Sequence, residues 1–565
     1  MKEVIAKAIK KILDGKKIHL TENEISKIIE IPPSPEMGDY SFPCFFLASR
    51  FGKNPNQIAV EIRNKIASEK DFQETKVAGA YVNFFADKAK FAKETISEIL
   101  KKKANFGKPN KKENKKIVVE FSQPNTHKAF HVGHIRGTSL GESISRILEF
   151  CGNKVIRANY SGDTGMHVAK WIWCYQKYHS GEKLRKDESW FASIYAEAVK
   201  KLAKNESLQK EVNEINRKLE GKKDKKLNEL WKKTRKLSMD SWKKIYRELN
   251  TKFDVYFFES EVEKRAGEIS LELLKKGIAK KDDGAIIMDF KDSGLGVWIL
   301  LRSDGTVLYS AKDLALAEKK IKKYGANEYL VMVAEEQRLH FEQLIKTLEI
   351  MKLTSRKIYD FLTFGLVRLP TGKMSSRTGD NILYSEFIKE MKNHAKSEIK
   401  KRGEKISEKE LENRSLIISV AAIKYSMLKQ GANKNIIFDK NESLNFEGDS
   451  GAYLLYSCAR ANSILKKAKK QNSKIKTSNL DAREINLVKV LSQFPEIVSN
   501  ARKNKSPSTI ANYSHELAQK FNEFYHACPV LNSENESFRA RLVQSFMQVM
   551  ENSLNLLGIN VLKKM

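Results

Sequence analysis

The sequence predicts an α/β protein: a parallel-sheet core with an insertion, preceded by a mixed helix-and-strand unit and followed by an all-helical end. Three observations lead there. From residue 117 onward, short apolar runs alternate with segments of helical spacing, the strand–helix–strand rhythm of a parallel sheet whose ligands sit at the strand carboxyl ends. Residues 1 to about 105 mix both periodicities, and after about 385 the pattern is helical with no clear strand. The boundaries read as 1–105, 116–385 with an insertion at about 179–285, and 386–565.

The elements justify themselves in order. In the first unit a turn around Pro35 and Gly38 precedes a helical run, Asn54-Pro55 opens another, and the unit ends in the stretch 77–84. A lysine-rich linker from Lys101 to Lys116 is broken by Gly107 and Pro109. Residues 117–121 are a strand, residues 135–150 a helix and residues 154–159 a second strand that ends in the turn Asp163-Thr164-Gly165. Residues 179 to about 250 turn polar and helical, as expected of an insertion, with a loop at Gly221. Strand-like runs resume at 285–290, 296–301 and 328–333, and residues 415–428, 508–528 and 540–557 are apolar or amphipathic helices.

Lysine and arginine outnumber the acids 103 to 70, a net charge of +33 over 565 residues, which favours a polyanionic partner such as nucleic acid. The five cysteines form no CxxC pair, so they read as buried thiols in a reducing compartment, with neither a zinc knuckle nor a disulfide framework. No run of 18 apolar residues exists, and the start Met1-Lys2-Glu3-Val4 is unlike a signal peptide. The expectation is a cytoplasmic protein with no membrane span.

The most informative segment is His131-Val132-Gly133-His134, between the first strand of the core and a helix. Glycine lets backbone approach a phosphate, a helix N-terminus favours anions, and two imidazoles three residues apart share one helical face. With Lys373-Met374-Ser375-Ser376-Arg377 far downstream, it resembles the HIGH and KMSKS motifs of class I aminoacyl-tRNA synthetases. The longer stretch from Ser122 through Asn125, Lys128 and His134 to Arg136 is similar to the arginyl-tRNA synthetase form, with Gln123 replacing a serine.

That resemblance implies a Rossmann-type catalytic core, an N-terminal domain that meets the tRNA elbow, and a helical anticodon-binding domain. It implies ATP as substrate, bound by His131, Gly133, His134 and the segment Lys373, Met374, Ser375, Ser376, Arg377. His131, His134, Lys128 and Lys373 would be catalytic, Lys128 replacing the second KMSKS lysine, which is missing here. Magnesium would arrive with ATP, with no dedicated protein metal site. An arginine pocket follows from segments similar to the family's: Asn125, Glu259, Tyr309, Asp313 and Gln337, with Ser122 and His134 near the amino-acid backbone. Carboxylates suit the task because they pair with a guanidinium in bidentate fashion. Phe258 stands where the family has glycine, which questions the backbone before Glu259. Asn83, Tyr456, Arg460 and Tyr513 are the implied contacts to tRNA(Arg), and the chain is expected to act as a monomer.

Overall fold

The computed structural model describes residues 2–66, 72–368, 370, 382–401, 406–468 and 479–564. Contacts divide the chain into two compact units. One comprises Met1–Lys102, Ala468–Ser492 and Glu523–Ser545; the other comprises Lys103–Lys467, Gln493–Asn522 and Phe546–Met565. The helical end expected as one domain therefore contributes to both.

In the first unit β1 (Tyr40–Pro43), β2 (Phe72–Ala78) and β3 (Tyr81–Ala86) form an antiparallel sheet with β3 in the middle. Helices Lys2–Asp14 and Pro55–Ile66 bury Ile5, Ile9, Leu13, Ile58 and Ile62, at four-residue spacing, in one core with Phe42, Val82 and Phe84. The helix Glu22–Ile28 starts in a capping box, in which Thr21 Oγ1 accepts from the Glu24 backbone N–H and Glu24 from that of Thr21.

The second unit holds β4 (Lys116–Glu120), β5 (Lys154–Ser161), β6 (Val255–Phe258), β7 (Lys280–Asp282), β8 (Ala285–Phe290), β9 (Gly296–Leu301), β10 (Glu328–Ala334) and β11 (Tyr359–Phe364). Five of these make an all-parallel sheet in the order β11-β10-β4-β5-β6. From β4 the chain first builds towards β6 and then crosses to β10. The direction of winding thus reverses between β4 and β10, the place where such sheets open a crevice at their carboxyl ends. β8 and β9, strand-like by sequence, lie instead in a separate antiparallel sheet with β7.

Two expectations change. β6 falls inside the stretch expected as an insertion, yet it is the edge strand of the parallel sheet; four residues, two of them half-exposed, carry too little pattern to announce a strand. The purely helical part of that stretch is Glu188–Lys204, Gln209–Gly221 and Lys225–Glu248. Beyond residue 385, where no strand was expected, β13 (Ile436–Ile437) pairs in parallel with β12 (Val367–Arg368), a pairing too short to show a period of two.

A buried ion network fastens the helix Val132–Phe150 to β5. Glu142, fully buried, accepts from Arg146 Nε at 2.6 Å and Arg157 Nε at 3.0 Å, while Arg157 also forks onto Glu149 at 2.6 and 2.8 Å. At the other end of the helix, buried Arg136 donates to the carbonyls of Met427, Gly431, Ala432 and Lys434 at 2.7–3.1 Å. The described cysteines are all free and buried, and burial pushes the thiols of Cys44 and Cys174 up to about 12. No helix among the described residues is long and apolar enough to cross a membrane.

Glu142→Ala leaves the guanidiniums of Arg146 and Arg157 without their shared carboxylate. A destabilisation of ~3–5 kcal/mol is expected in denaturant titration, and a loss under 1 kcal/mol would show the network to be dispensable.

Candidate active site

The site begins where β4 ends. The chain crosses the carboxyl end of the sheet with three non-glycine residues at positive φ: Ser122 (77°), Gln123 (50°) and His127 (60°). Such backbone costs on the order of 1–3 kcal/mol per residue and persists only where the surroundings over-determine it. They do so here. Ser122 Oγ lies 2.9 Å from Tyr246 OH and 2.8 Å from Thr138 Oγ1. Gln123 donates to Glu120, and Thr126 N–H donates to the Gly162 carbonyl at 2.9 Å. His127, fully buried, reaches Thr234 Oγ1 at 2.8 Å, and its N–H donates to Ser238 Oγ.

His131 N-caps the next helix. Its backbone N–H donates to His134 Nδ1 at 3.2 Å, and the two rings stand 3.9 Å apart. Since Nδ1 of His134 accepts, the proton of the neutral ring sits on Nε2. Burial and the neighbouring Lys128 ammonium push His131 down to about 4; burial holds His134 well below its usual range, and both rings are neutral near pH 7. Lys128 is itself lowered by burial and by Lys170, while Glu259 opposes that shift.

The remaining groups arrive from the next strands. A Cβ on Gly162, just past β5, would lie 2.4 Å from Asn125 Oδ1 and 3.1 Å from Glu259 Oε1, so both side chains close over a backbone that only glycine provides. Glu259 follows β6 and faces Lys312 Nζ at 3.3 Å. Burial raises its pKa, Lys312 opposes that, and Asp313 and Asp163 raise it further, which puts Asp313 within electrostatic reach. Phe258 is extended (φ −128°, ψ 147°), a conformation any residue adopts, so the missing glycine strains nothing before Glu259. Asp163, fully buried, pairs with Arg235 at 2.6 Å and accepts from Ser260 N–H and Oγ–H. Tyr309 and Asp313 lie on the first turns of the helix Tyr309–Tyr324, Tyr309 being 61% exposed, and exposed Gln337 caps the helix Arg338–Ile350 just beyond β10.

Comparison with known proteins decides the family. The catalytic-domain model of class I (R) tRNA synthetases matches residues 95–440, the arginyl tRNA synthetase N-terminal domain matches 1–86, and the DALR anticodon binding domain matches 454–565. An arginine–tRNA ligase of Clostridium acetobutylicum is 36% identical over the full length of both chains. Among solved structures, the Thermus thermophilus arginyl-tRNA synthetase superposes over all of both chains with a TM-score of 0.80 at 25% identity. That of Plasmodium falciparum covers 99% of each with a TM-score of 0.76 at 25% identity. The chain belongs to the arginyl-tRNA synthetases. It is thus an enzyme of class I, an arginine–tRNA ligase that charges tRNA(Arg) for translation.

Against that membership, the sequence-derived residues of this arginyl-tRNA synthetase fall into three groups. Ser122, Asn125, Lys128, His131, Gly133, His134, Glu259 and Gln337 lie at or just past the carboxyl ends of the parallel strands or on the helix that follows β4, and Tyr309 and Asp313 lie on the helix between β9 and β10. Lys373, Met374, Ser375, Ser376 and Arg377 lie outside the described residues. Just after them, Leu383 bridges His131 and Tyr384 N–H donates to the Phe130 carbonyl at 2.9 Å. The third group was aimed at tRNA. Tyr456 and Arg460 remain half-buried with the guanidinium 4.7 Å over the ring. Two others need correction. Tyr513 is 2% exposed and packs on Phe494, which leaves no ring face for a base. Asn83 is 5% exposed and its Oδ1 accepts from Ser41 Oγ at 2.6 Å, so it serves the sheet.

Sequence reasoning missed Gly162, Lys312, His340 and the pair Asp163–Arg235. Gly162 and Asp163 stood in plain view beside the turn after the second strand; the other three are brought in by distant elements. Cys174, His179 and Glu197 also come together, but both nitrogens of His179 are taken, by Glu182 at 2.6 Å and Glu197 at 2.8 Å.

Gly162→Ala puts a methyl group where the Asn125 side chain lies and forces that side chain out of place, so arginine-dependent turnover is expected to fall roughly a hundredfold in a folded protein. Unimpaired turnover would remove Asn125 from the site. The depressed His131 ring makes a stability prediction of definite sign. Its folded value is about 4 against an ordinary 6.5, so the unfolded chain binds the proton first and stability is lost as pH falls from 6.5 towards 4. His131→Asn should flatten the dependence of the denaturation midpoint on pH across and just below that upper value.

Proposed function

We propose that arginine and ATP meet at these strand ends and that both steps of arginine–tRNA ligation run there. The observation that carries this reading is the closure of Asn125 and Glu259 over Gly162, with Asp313 in electrostatic reach, beside two neutral imidazoles. A planar cation satisfies two carboxylates that otherwise repel each other, and the side-chain oxygens of Asn125, Tyr309 and Gln337 accept from its remaining N–H donors. Ser122 and His134 would border the amino-acid backbone.

In the first step an arginine carboxylate oxygen attacks the α-phosphorus of ATP in line; the bond to the β-phosphate oxygen breaks and pyrophosphate leaves. The protein's part is position and charge. His131 and His134 donate N–H to phosphate oxygens without giving up a proton, and Gly133 leaves room for the adenine ring. Lys128 and Lys373 offset negative charge on the departing group. Mg2+ accompanies ATP. In the second step a ribose hydroxyl of the terminal adenosine attacks the activated carbonyl carbon, the ester forms and AMP leaves. Tyr456 and Arg460 offer a stacked aromatic and cation to a single-stranded base in the anticodon-domain segment. The chain works on tRNA(Arg) as a monomer in the cytoplasm.

Citrulline, isosteric with arginine but neutral, should be charged roughly a thousandfold less efficiently or worse, since it leaves the carboxylates unpaired; comparable use of both would refute the pocket. His134→Ala should lower kcat roughly a hundredfold with tRNA affinity retained, because a donor to the reacting phosphate is worth a few kcal/mol. Parallel loss of tRNA binding would make the motif structural instead.

A further inference from the structure

His340, on the helix Arg338–Ile350, has both ring nitrogens engaged. Trp298 Nε1–H donates to Nδ1 at 3.1 Å, and Nε2 stands 2.6 Å from Asp313 Oδ2. An indole N–H only donates, so Nδ1 must accept and the ring proton belongs on Nε2, where it is donated to the carboxylate. The imidazole is 7% exposed and Trp298 4%, so the chain of contacts is shielded from water at its root. The same ring lies 4.8 Å from that of Tyr309. One buried side chain thus touches two residues of the proposed guanidinium pocket, both carried by another helix.

We propose that His340 is a positioning residue for arginine: it ties Asp313 Oδ2 and braces the Tyr309 ring, with Trp298 setting its tautomer. An aspartate on the first turns of a helix is otherwise free to rotate about two side-chain bonds. Tying one oxygen fixes the carboxylate plane and leaves Oδ1 for the substrate, so less ordering is left to arginine on binding. The tie also keeps an anion near Glu259 hydrogen-bonded before a cation arrives. Leucine at this position would keep the packing and lose both hydrogen bonds. Glutamine would keep an N–H where Nε2 stands.

This inference rests on Asp313 belonging to the arginine pocket, so Asp313→Asn is the reference. The test measures kcat and KM for arginine and for ATP in tRNA charging, with melting temperatures for every variant. His340→Leu is expected to raise the arginine KM roughly ten- to a hundredfold, the worth of a hydrogen bond to a charged group. The ATP KM should stay within about twofold and kcat should change less than the arginine KM. His340→Gln should recover most of the loss. Trp298→Phe, which keeps an aromatic ring but no donor, should raise the arginine KM by a smaller factor. An unchanged arginine KM in folded His340→Leu, or a Gln variant as poor as the Leu variant, overturns the proposal provided Asp313→Asn raises that KM. If Asp313→Asn itself leaves the arginine KM unchanged, the pocket reading falls as well. Should the Leu variant not fold, an unchanged arginine KM in folded Trp298→Phe overturns it equally.

Discussion

Carboxylates held at the carboxyl end of a parallel sheet, away from water, each need a partner of their own, and the site is arranged around meeting that need. Burying an unpaired anion costs several kcal/mol or drives it to take up a proton. Glu120 at the end of β4 has Lys320 at 2.7 Å, Asp163 past β5 has Arg235 at 2.6 Å, and Glu259 past β6 has Lys312 at 3.3 Å. Asp313 has a neutral donor instead, His340. The pairs differ in consequence. Lys320 is fully buried and shares itself with Tyr359, a closed structural contact. Lys312 divides itself between Glu259 and Glu263 at longer distances, and burial still raises the Glu259 carboxyl. In the proposed pocket a cationic substrate would complete the partly compensated Glu259 and the hydrogen-bonded Asp313.

The imidazoles follow the opposite logic. Burial keeps His131 and His134 neutral, and the backbone N–H of His131 assigns the tautomer of His134. In the proposed reaction a neutral N–H donor would stabilise developing phosphate charge without competing for the proton. The helix that begins with these residues is held at both ends. Arg136 ties its start to four carbonyls between Met427 and Lys434, and Glu142 and Glu149 tie its far half to β5 through Arg157. The donors are therefore carried on a rigid element, which positions them more closely than a loop could.

Much of this was legible in the sequence because it is local. Strand, turn and helix from residue 116 to 150 are written in consecutive residues, and the His-x-Gly-His string lies on them. So are the residues proposed for the pocket, which travel with short motifs. Partners that depend on two distant segments left no such trace: Lys312 and Glu259 are 53 residues apart, and His340 and Asp313 are 27 apart. The same reasoning explains the tRNA-directed residues that failed. Tyr513 and Asn83 sit in amphipathic contexts whose polar and apolar faces cannot be told apart without the neighbours that cover them.

By itself, then, the sequence determined the longer and more strongly periodic elements, the order of winding up to β5 and the chemical types gathered in the motifs, because periodicity and short motifs are properties of contiguous residues. The tertiary structure alone decided that β6 closes the edge of the sheet and that the winding reverses between β4 and β10. It also decided that Gly162 leaves room for Asn125 and Glu259, and that an indole N–H chooses which nitrogen of His340 faces Asp313. Those are matters of distance and hydrogen-bond direction between segments that only packing brings together.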